Sequence, residues 1–479
     1  MTMRIALFSV AAMLLVAGCG GSTSVSSGSS AGEVAGIVPA DVSVLVALET
    51  DRDSEQWQRA DELLSKFPGR QRLLDALRDG LADEGVDLEE DVIPALGDET
   101  YLAFLDVEVD GGNVVALTRP RDKAKFEELL RESDEPLVTR EVEDWTLVAD
   151  SEALLDRFTS SAEHLEDADW FTAAQGRVEE DALVTLFVNG PAIYDGLRDA
   201  VPDECDVPEE YGKLEYAAGT LAAEDDGVRL RFAAEGEGVE DLLQGDSLLS
   251  QVPSGAFAYL GAPGFDTARL PLGAQLRCGL DSQSLPDVER ELGVSFDDVL
   301  DLFAGGFAFY VRSATIVPEV TLLLAPEDDA RAIETLDTLA EKVAGLGSLE
   351  LERQRIGDTE ARVLDVGPFS ILYGAGDGKV VLTTAPGGFD ALTGEGGGLE
   401  DDDAFKDAQD AAGVGDGDEV FVYLDLRELV QLAEILAGLA EEDVPADVRA
   451  NLEPLESFLV WGDLGDPNNV EFGAFLGIR

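Results

Sequence analysis

His164 is the only histidine in the chain, so any Ser-His-Asp or Cys-His relay would have to run through it. It lies in the polar stretch SSAEHLEDADW, whose acids point to a solvated loop, and no GxSxG elbow occurs in the folded body. A zinc site needs four nitrogen or sulfur ligands, which one histidine and the distant Cys205 and Cys278 cannot supply. Asp401-Asp402-Asp403, and Asp416 with Asp418, offer the oxygen ligands that calcium takes. No Asp-x-Asp-x-Asp-Gly loop closed by a Glu is present, so hydrated acidic turns are the favoured reading. Gly374-Ala375-Gly376-Asp377-Gly378-Lys379 imitates a phosphate loop, but Val380 and a strand follow where Ser or Thr and a helix are required; it reads as a hairpin turn. Among 100 acidic residues no carboxylate pair stands out for glycoside chemistry. No residue is therefore given a catalytic, cofactor-binding or metal-binding role, no cofactor is expected, and the chain reads as a non-enzyme.

Charge removes further classes. With 33 basic and 100 acidic residues the net charge is −67, spread along the whole chain. Such a surface repels nucleic acid and anionic lipid heads, because both are bound by neutralising phosphate with Lys and Arg. A hydrophobic fraction of 45%, arranged in regular Val/Leu/Phe segments, still builds a core.

The elements that would position any site begin after an export signal. Arg4 precedes the uncharged run from Ile5 to Ala17, and small residues then lead to Cys19. At about 1.5 Å per residue that run is too short to cross a hydrocarbon core of about 30 Å. Val16-Ala17-Gly18-Cys19 resembles the lipobox of bacterial lipoproteins, which implies cleavage after Gly18 and a multiply acylated Cys19 as the mature N-terminus. An ordinary signal peptide that happens to contain a cysteine is the alternative. The Gly/Ser tether that follows, read as residues 19–36, favours the lipidated form and reaches on the order of 20 to 25 Å. With Cys19 set aside, Cys205 and Cys278 are the only possible internal pair in an oxidising compartment; a disulfide and two unpaired thiols both remain open.

Residues 37–246 and 247–479 read as two copies of one plan. Val38-Pro39-Ala40-Asp41 before VSVLVAL is matched by Val252-Pro253-Ser254-Gly255 before AFAYL, and Leu117-Thr118-Arg119-Pro120 by Leu323-Leu324-Ala325-Pro326. LEDADWFTAAQ (165–175) is matched by LEDDDAFKDAQ (399–409), with Phe187-Val188 and Phe421-Val422 following at the same spacing and extra length around Gly345 to Gly378. The aromatics of Asp169-Trp170-Phe171 and Asp403-Ala404-Phe405 either line a groove or pack a helix on its sheet, the second being favoured. Strand-like runs such as Val42 to Thr50, Gly227 to Ala234 and Glu419 to Leu424 mix with helical periodicity in Trp57 to Phe67, Asp328 to Ala344 and Arg427 to Ala440. Without strict βαβ alternation the expected class is α+β: two tandem duplicated modules, each a mainly antiparallel sheet packed with helices.

The Val-Pro-Ala-Asp opening after a signal and Ser/Gly linker, with Leu-Glu-Asp-x-Asp-x-Phe before a strand, resembles bacterial exported lipoproteins carrying domain of unknown function 3352. That resemblance implies an envelope address and brings no activity or site residue. The expectation is an exported lipoprotein, anchored to the outer face of a bacterial membrane, that binds or scaffolds without catalysis. Its partners would be the membrane, through the lipid, and a hydrophobic small molecule held in a cleft or an envelope protein. The alternatives are a solute-binding lipoprotein feeding a transporter, which would need two βαβ lobes, and a carboxylate- or calcium-dependent extracytoplasmic hydrolase.

Overall fold

The structure, a computed structural model, describes residues 31–83, 86–106, 113–132, 137–179, 181–200, 212–237, 243–244, 247–265, 284–314, 318–347, 349–367, 369–394, 397–415, 417–439, 444–466 and 468–479. Cys19, Cys205, Cys278 and Asp416 lie outside them.

The first half contributes β1 (Val44–Glu49), β2 (Glu99–Phe104), β3 (Val114–Thr118), β4 (Val138–Val142), β5 (Trp145–Ala149), β6 (Val184–Asn189), β7 (Leu214–Glu224) and β8 (Gly227–Gly236). After the short β9 (Leu243–Gln244), the second half contributes β10 (Ala256–Phe265), β11 (Gly306–Arg312), β12 (Glu319–Leu324), β13 (Leu351–Ile356), β14 (Thr359–Val366), β15 (Phe369–Gly376), β16 (Lys379–Thr383), β17 (Glu419–Asp425), β18 (Leu455–Asp466) and β19 (Asn469–Ile478). Every pairing is antiparallel, and with helices on the sheet the fold is α+β.

The two halves meet strand to strand. β8 pairs with β19 along its length, from Gly227 opposite Gly477 to Glu235 opposite Asn469. Outward from that junction the first half runs β8-β7-β6-β1-β2-β3-β5-β4. The second runs β19-β18-β17-β10-β11-β12-β16-β15-β14-β13. The orders correspond until the last hairpin, β13–β14, which has no counterpart among the described residues of the first half and falls where the sequence shows extra length. Because β8 and β19 are antiparallel, the ends of the two halves are reversed, as in a two-fold dimer joined at an edge.

Matching contacts recur in both halves. Pro39 forms an isolated bridge with His164 and Pro253 forms one with Gly398. The Leu165 amide donates to the Val38 carbonyl at 3.0 Å and the Leu399 amide to the Val252 carbonyl at 2.8 Å. Gly97 and Gly305 precede β2 and β11; a Cβ on either would lie 2.4 Å from the Arg119 carbonyl oxygen or 2.1 Å from that of Ala325.

One face of the sheet carries the two main cores. Helix Asp169–Gln175 buries Phe171 against Phe187, ring centroids 4.9 Å apart, and helix Asp403–Ala412 buries Phe405 against Tyr423 at the same distance. Both aromatics therefore pack helix on sheet. The equivalence of Phe187 with Phe421 needs correction, since Tyr423 occupies the structural place of Phe187. A bulge between Val420 and Val422 turns Phe421 to the opposite face, where its ring meets Phe472.

Two boundaries also move. Residues 31–36, read as the end of the tether, belong to the folded body: Ala31–Val34 is a short helix, and Ala31, Val34 and Ala35 are buried in the first core. β9, assigned by sequence to the first module, pairs with β10 of the second, Gln244 opposite Gly264.

Candidate functional site

The residues picked out by type have structural work. His164 sits at the Pro39 bridge, and Asp402 accepts the Gly255 amide at 2.6 Å, fixing a turn before β10. Asp418 accepts the Gly415 amide at 2.7 Å, and Asp401 lies 3.7 Å from Lys406. Gly374 to Gly376 end β15 and Lys379 opens β16, joined by a two-residue turn of Asp377 and Gly378 at φ 51° and 74°, values suited to a tight hairpin. The described residues contain no cluster of three or more His, Cys, Asp or Glu able to hold a metal ion.

The opposite face of the sheet is the more informative surface. In a ladder, residues directly opposite each other share a face, so register alone traces a row. Leu230 on β8 faces Leu221 on one side and Ala474 on the other; the row continues through Val460, Val422, Leu260, Phe309 and Leu322. A parallel row runs Ala223, Val228, Leu476, Phe458, Leu424, Ala258, Val311 and Val320. Neither row contains a charged side chain, in a protein of which 28% is charged.

This face is only partly covered. Helix Asp329–Gly347 lies over its outer part in the second half, packing Ile333 and Leu336 with Leu322 and Leu382. Helix Glu55–Ser65 covers Ala223, Val228 and Leu476 with Trp57, Ala60 and Leu63. Between these covers Leu230 is 45%, Leu260 46% and Phe309 36% exposed. From β8 to β11 the open strip crosses six strands, about 24 Å at the usual spacing.

The lateral edges are guarded in the ordinary way. β4 carries Arg140 and Glu141, and β13 carries Glu352, Arg353 and Arg355, charges that discourage strand addition. The strip is uncharged across six strands, in contrast to these two edges. Contiguous exposed apolar area of this kind marks interaction sites.

On the face that carries the two main cores the junction is polar and closed. Arg229 of β8 is 7% exposed; it pairs with Glu224, donates to the carbonyls of Ala411 and Ala412 in the second half, and lies 4.9 Å from the Phe475 ring centroid. Arg177 of the first half donates to Glu471 of the second at 3.2 Å and to the Tyr216 hydroxyl at 3.4 Å. Tyr216 in turn donates to Glu235 at 2.6 Å. These contacts clamp the halves, and among the described residues the junction is a continuous sheet.

Glu49, at the end of β1, is pushed up from 4.5 to about 8, first by burial and then by Asp51, Glu99 and Asp98; the Asp51 amide, donating at 2.7 Å, opposes the rise. Beside it Thr50, Arg52, Trp57, Ile93 and Leu96 line a water-sized cavity of about 10 Å³. Burial also raises Tyr259 to about 12 and holds Tyr310 and Tyr423 well above the usual phenol range.

Sequence reasoning missed Leu230, Leu260, Phe309 and Glu49. The signal for the first three was present: AFAYLGA and VFVYL are apolar at successive positions, whereas a half-solvated antiparallel strand alternates. For Glu49 there was none, since its burial depends on residues far along the chain.

Residues 2–144 match the model of a family described as protein of unknown function (DUF3352). That region ends in the β4–β5 turn, well short of the junction and of most of the open strip. No curated protein matches the chain. Among solved structures, crystal forms IV and I of TP0453 are 10% and 13% identical to it over 42% of this chain and 79% and 78% of theirs, with TM-scores of 0.24 and 0.23. Likeness at that level carries no argument about fold or function.

Proposed function

We propose that this DUF3352-containing chain is an exported lipoprotein, held by acyl chains on Cys19, that works without catalysis by binding an apolar partner on its open sheet face. The reading rests on one observation: an uncharged strip, with Leu230, Leu260 and Phe309 exposed, within a chain of net charge −67. Full burial of such a side chain from water contributes about 1.5–3 kcal/mol, and these three are already more than half covered, so a ligand seated on them gains roughly half of that or less at each. We further propose that the two halves arose by internal duplication, supported by their corresponding strand orders and paired bridges.

Two experiments test the reading. The mature protein, purified from membranes and extracted for mass spectrometry, should carry an apolar molecule that the Leu260→Glu/Phe309→Glu variant lacks. Equal loading of the two proteins, or an empty wild type that gains no fluorescence from an apolar probe, would rule out the binding face. Fractionation of Cys19→Ala addresses the anchor separately: that variant should leave the membrane, and its retention would refute the tether.

A further inference from the structure

The open strip is two rows of side chains wide. Beside the row through Leu230, Ala474 and Val460, the register places Gly219, Phe232, Phe472 and Gly462 side by side on the same face. Rows two residues apart along a strand are separated by about 7 Å, so together they make a floor about as broad as an α-helix. The floor is also low. A Cβ on Gly462 would lie 2.8 Å from the Phe472 ring and 3.1 Å from that of Phe421, and one on Gly219 would lie 3.2 Å from the Phe232 ring. The aromatic rings therefore lean over the glycines and form a shallow bed.

Helices wall this bed. Glu55–Ser65 and Asp329–Gly347 stand on the same face of the sheet. Helix Leu426–Leu439 joins them, because it packs on β17 and β18, whose other face is filled by helix Asp403–Ala412. Its Glu434 pairs with Arg449 of the short helix Ala446–Leu452, whose Asp447 accepts from Arg72 at 2.8 Å, just beyond helix Glu55–Ser65. Ile435 and Leu436 are exposed on it and extend the apolar surface. The opening belongs to the second half. Leu260, between Phe309 and Val422, corresponds to Val46, between Leu102 and Leu186. Leu102 is 8% exposed where Phe309 is 36%, and Ala116 beside Leu102 is covered by Leu74, Val92 and Phe126.

Charge and shape select the occupant. Glu62, Glu334, Glu341 and Glu428 on the walling helices are exposed and form no ion pair among the described residues, whereas Arg59, Arg331 and Arg427 are each engaged by carboxylates. A second copy of this chain, itself at −67, would be repelled. A flat bilayer cannot reach a floor set between helices about 10 Å thick, and a single acyl chain covers one of the two rows.

We propose that this bed receives an amphipathic helix of a partner polypeptide, its apolar stripe on Leu230, Leu260, Phe309 and Phe472 and its flanking Lys or Arg against Glu62, Glu334 and Glu428. The strip length of about 24 Å accommodates about 16 helical residues, with anchors recurring at three- and four-residue spacing. This inference rests on the strip being a binding face and names what occupies it.

Displacement of Nile red, a neutral apolar dye, from the full mature chain tests the two claims separately. A synthetic helix of that length, with Leu at the anchor positions and Lys elsewhere, should displace the dye at least about tenfold more strongly than a scrambled peptide of the same composition or the same stripe with Glu for Lys. Its binding should be lost in Leu260→Glu/Phe309→Glu, although that variant adds attraction for lysine. Leu230→Ser, a milder change, should weaken it, as should Glu62→Gln/Glu334→Gln/Glu428→Gln, which alters no apolar contact; circular dichroism confirms that each variant is folded. Dye that binds and is displaced by monoolein but not by the helix would overturn the helical occupant and leave the binding face standing. Dye that fails to bind would remove both. Equal displacement by the scrambled peptide would reduce the effect to general attraction toward an acidic protein and overturn the proposal.

Discussion

Arg229 and Ala412 lie in opposite halves of the chain, and the guanidinium of the first donates to the carbonyl of the second. Ala412 is the last residue of helix Asp403–Ala412, where main-chain carbonyls lack intrahelical partners and the helix dipole is negative, so a buried cation there serves both needs. Glu224 balances the charge. Arg229→Met keeps much of the apolar stem but leaves a partly buried carboxylate and the end of the helix without their donor. Unfolding in urea should show a loss of about 3–5 kcal/mol, the scale for breaking a buried pair. A loss under about 1 kcal/mol would mean that the β8–β19 ladder, the Arg177–Glu471 pair and the packing of helix Glu55–Ser65 hold the junction without it.

Neighbouring positions on one strand should respond in opposite ways. Tyr259 is 1% exposed on the face of the two main cores, while Leu260, next in sequence, is 46% exposed on the other. Tyr259→Ala is expected to cost about 3–5 kcal/mol through cavity formation. Leu260→Thr should change stability by no more than about 0.5 kcal/mol in the ligand-free protein. A large cost at Leu260 would show that the strip is covered in solution.

Much of this architecture was legible because it is local. Helices read at Trp57 to Phe67 and Asp328 to Ala344 appear as Glu55–Ser65 and Asp329–Gly347, and the strand from Glu419 to Leu424 appears as Glu419–Asp425. What failed depends on distant chain. A bulge displaced Phe421 from its expected face, and AGEVAG looks like linker until Ala31 and Val34 find the first core. The open strip needed register across β8, β19, β18, β17 and β10, which periodicity within one segment does not contain.

The glycines before β2 and β11 make a paired prediction. Their missing side chains allow the Arg119 and Ala325 carbonyls to approach, so Gly97→Ala and Gly305→Ala should each lower stability by about 1–3 kcal/mol, the range for overpacking. Gly80, in helix Arg70–Asp83, has nothing within 4 Å of a built Cβ. Gly80→Ala should therefore stabilise by up to about 1 kcal/mol through helix propensity. Thermal denaturation of the three variants checks the contrast, and destabilisation by Gly80→Ala would contradict the packing described.

Stability should also fall on both sides of a mildly acidic optimum, for two different reasons. On the acid side Asp106 is held below its ordinary range by hydrogen bonds from Arg157, so its contribution is present above the unfolded value of 3.8 and disappears as pH drops through the folded one. On the alkaline side the sign reverses. Glu49 ionises near 4.5 when unfolded and at about 8 when folded, so between those values the unfolded chain binds fewer protons and stability declines as pH rises. Each unit of such a shift is worth about 1.4 kcal/mol at most, reduced where solvent reaches the group. Urea midpoints measured from about pH 5 to about pH 9 should fall for the wild type, and Glu49→Gln should flatten that limb while leaving the acid limb intact. Parallel curves for the two proteins would locate the alkaline loss elsewhere, in the general repulsion of a chain carrying 100 acidic groups.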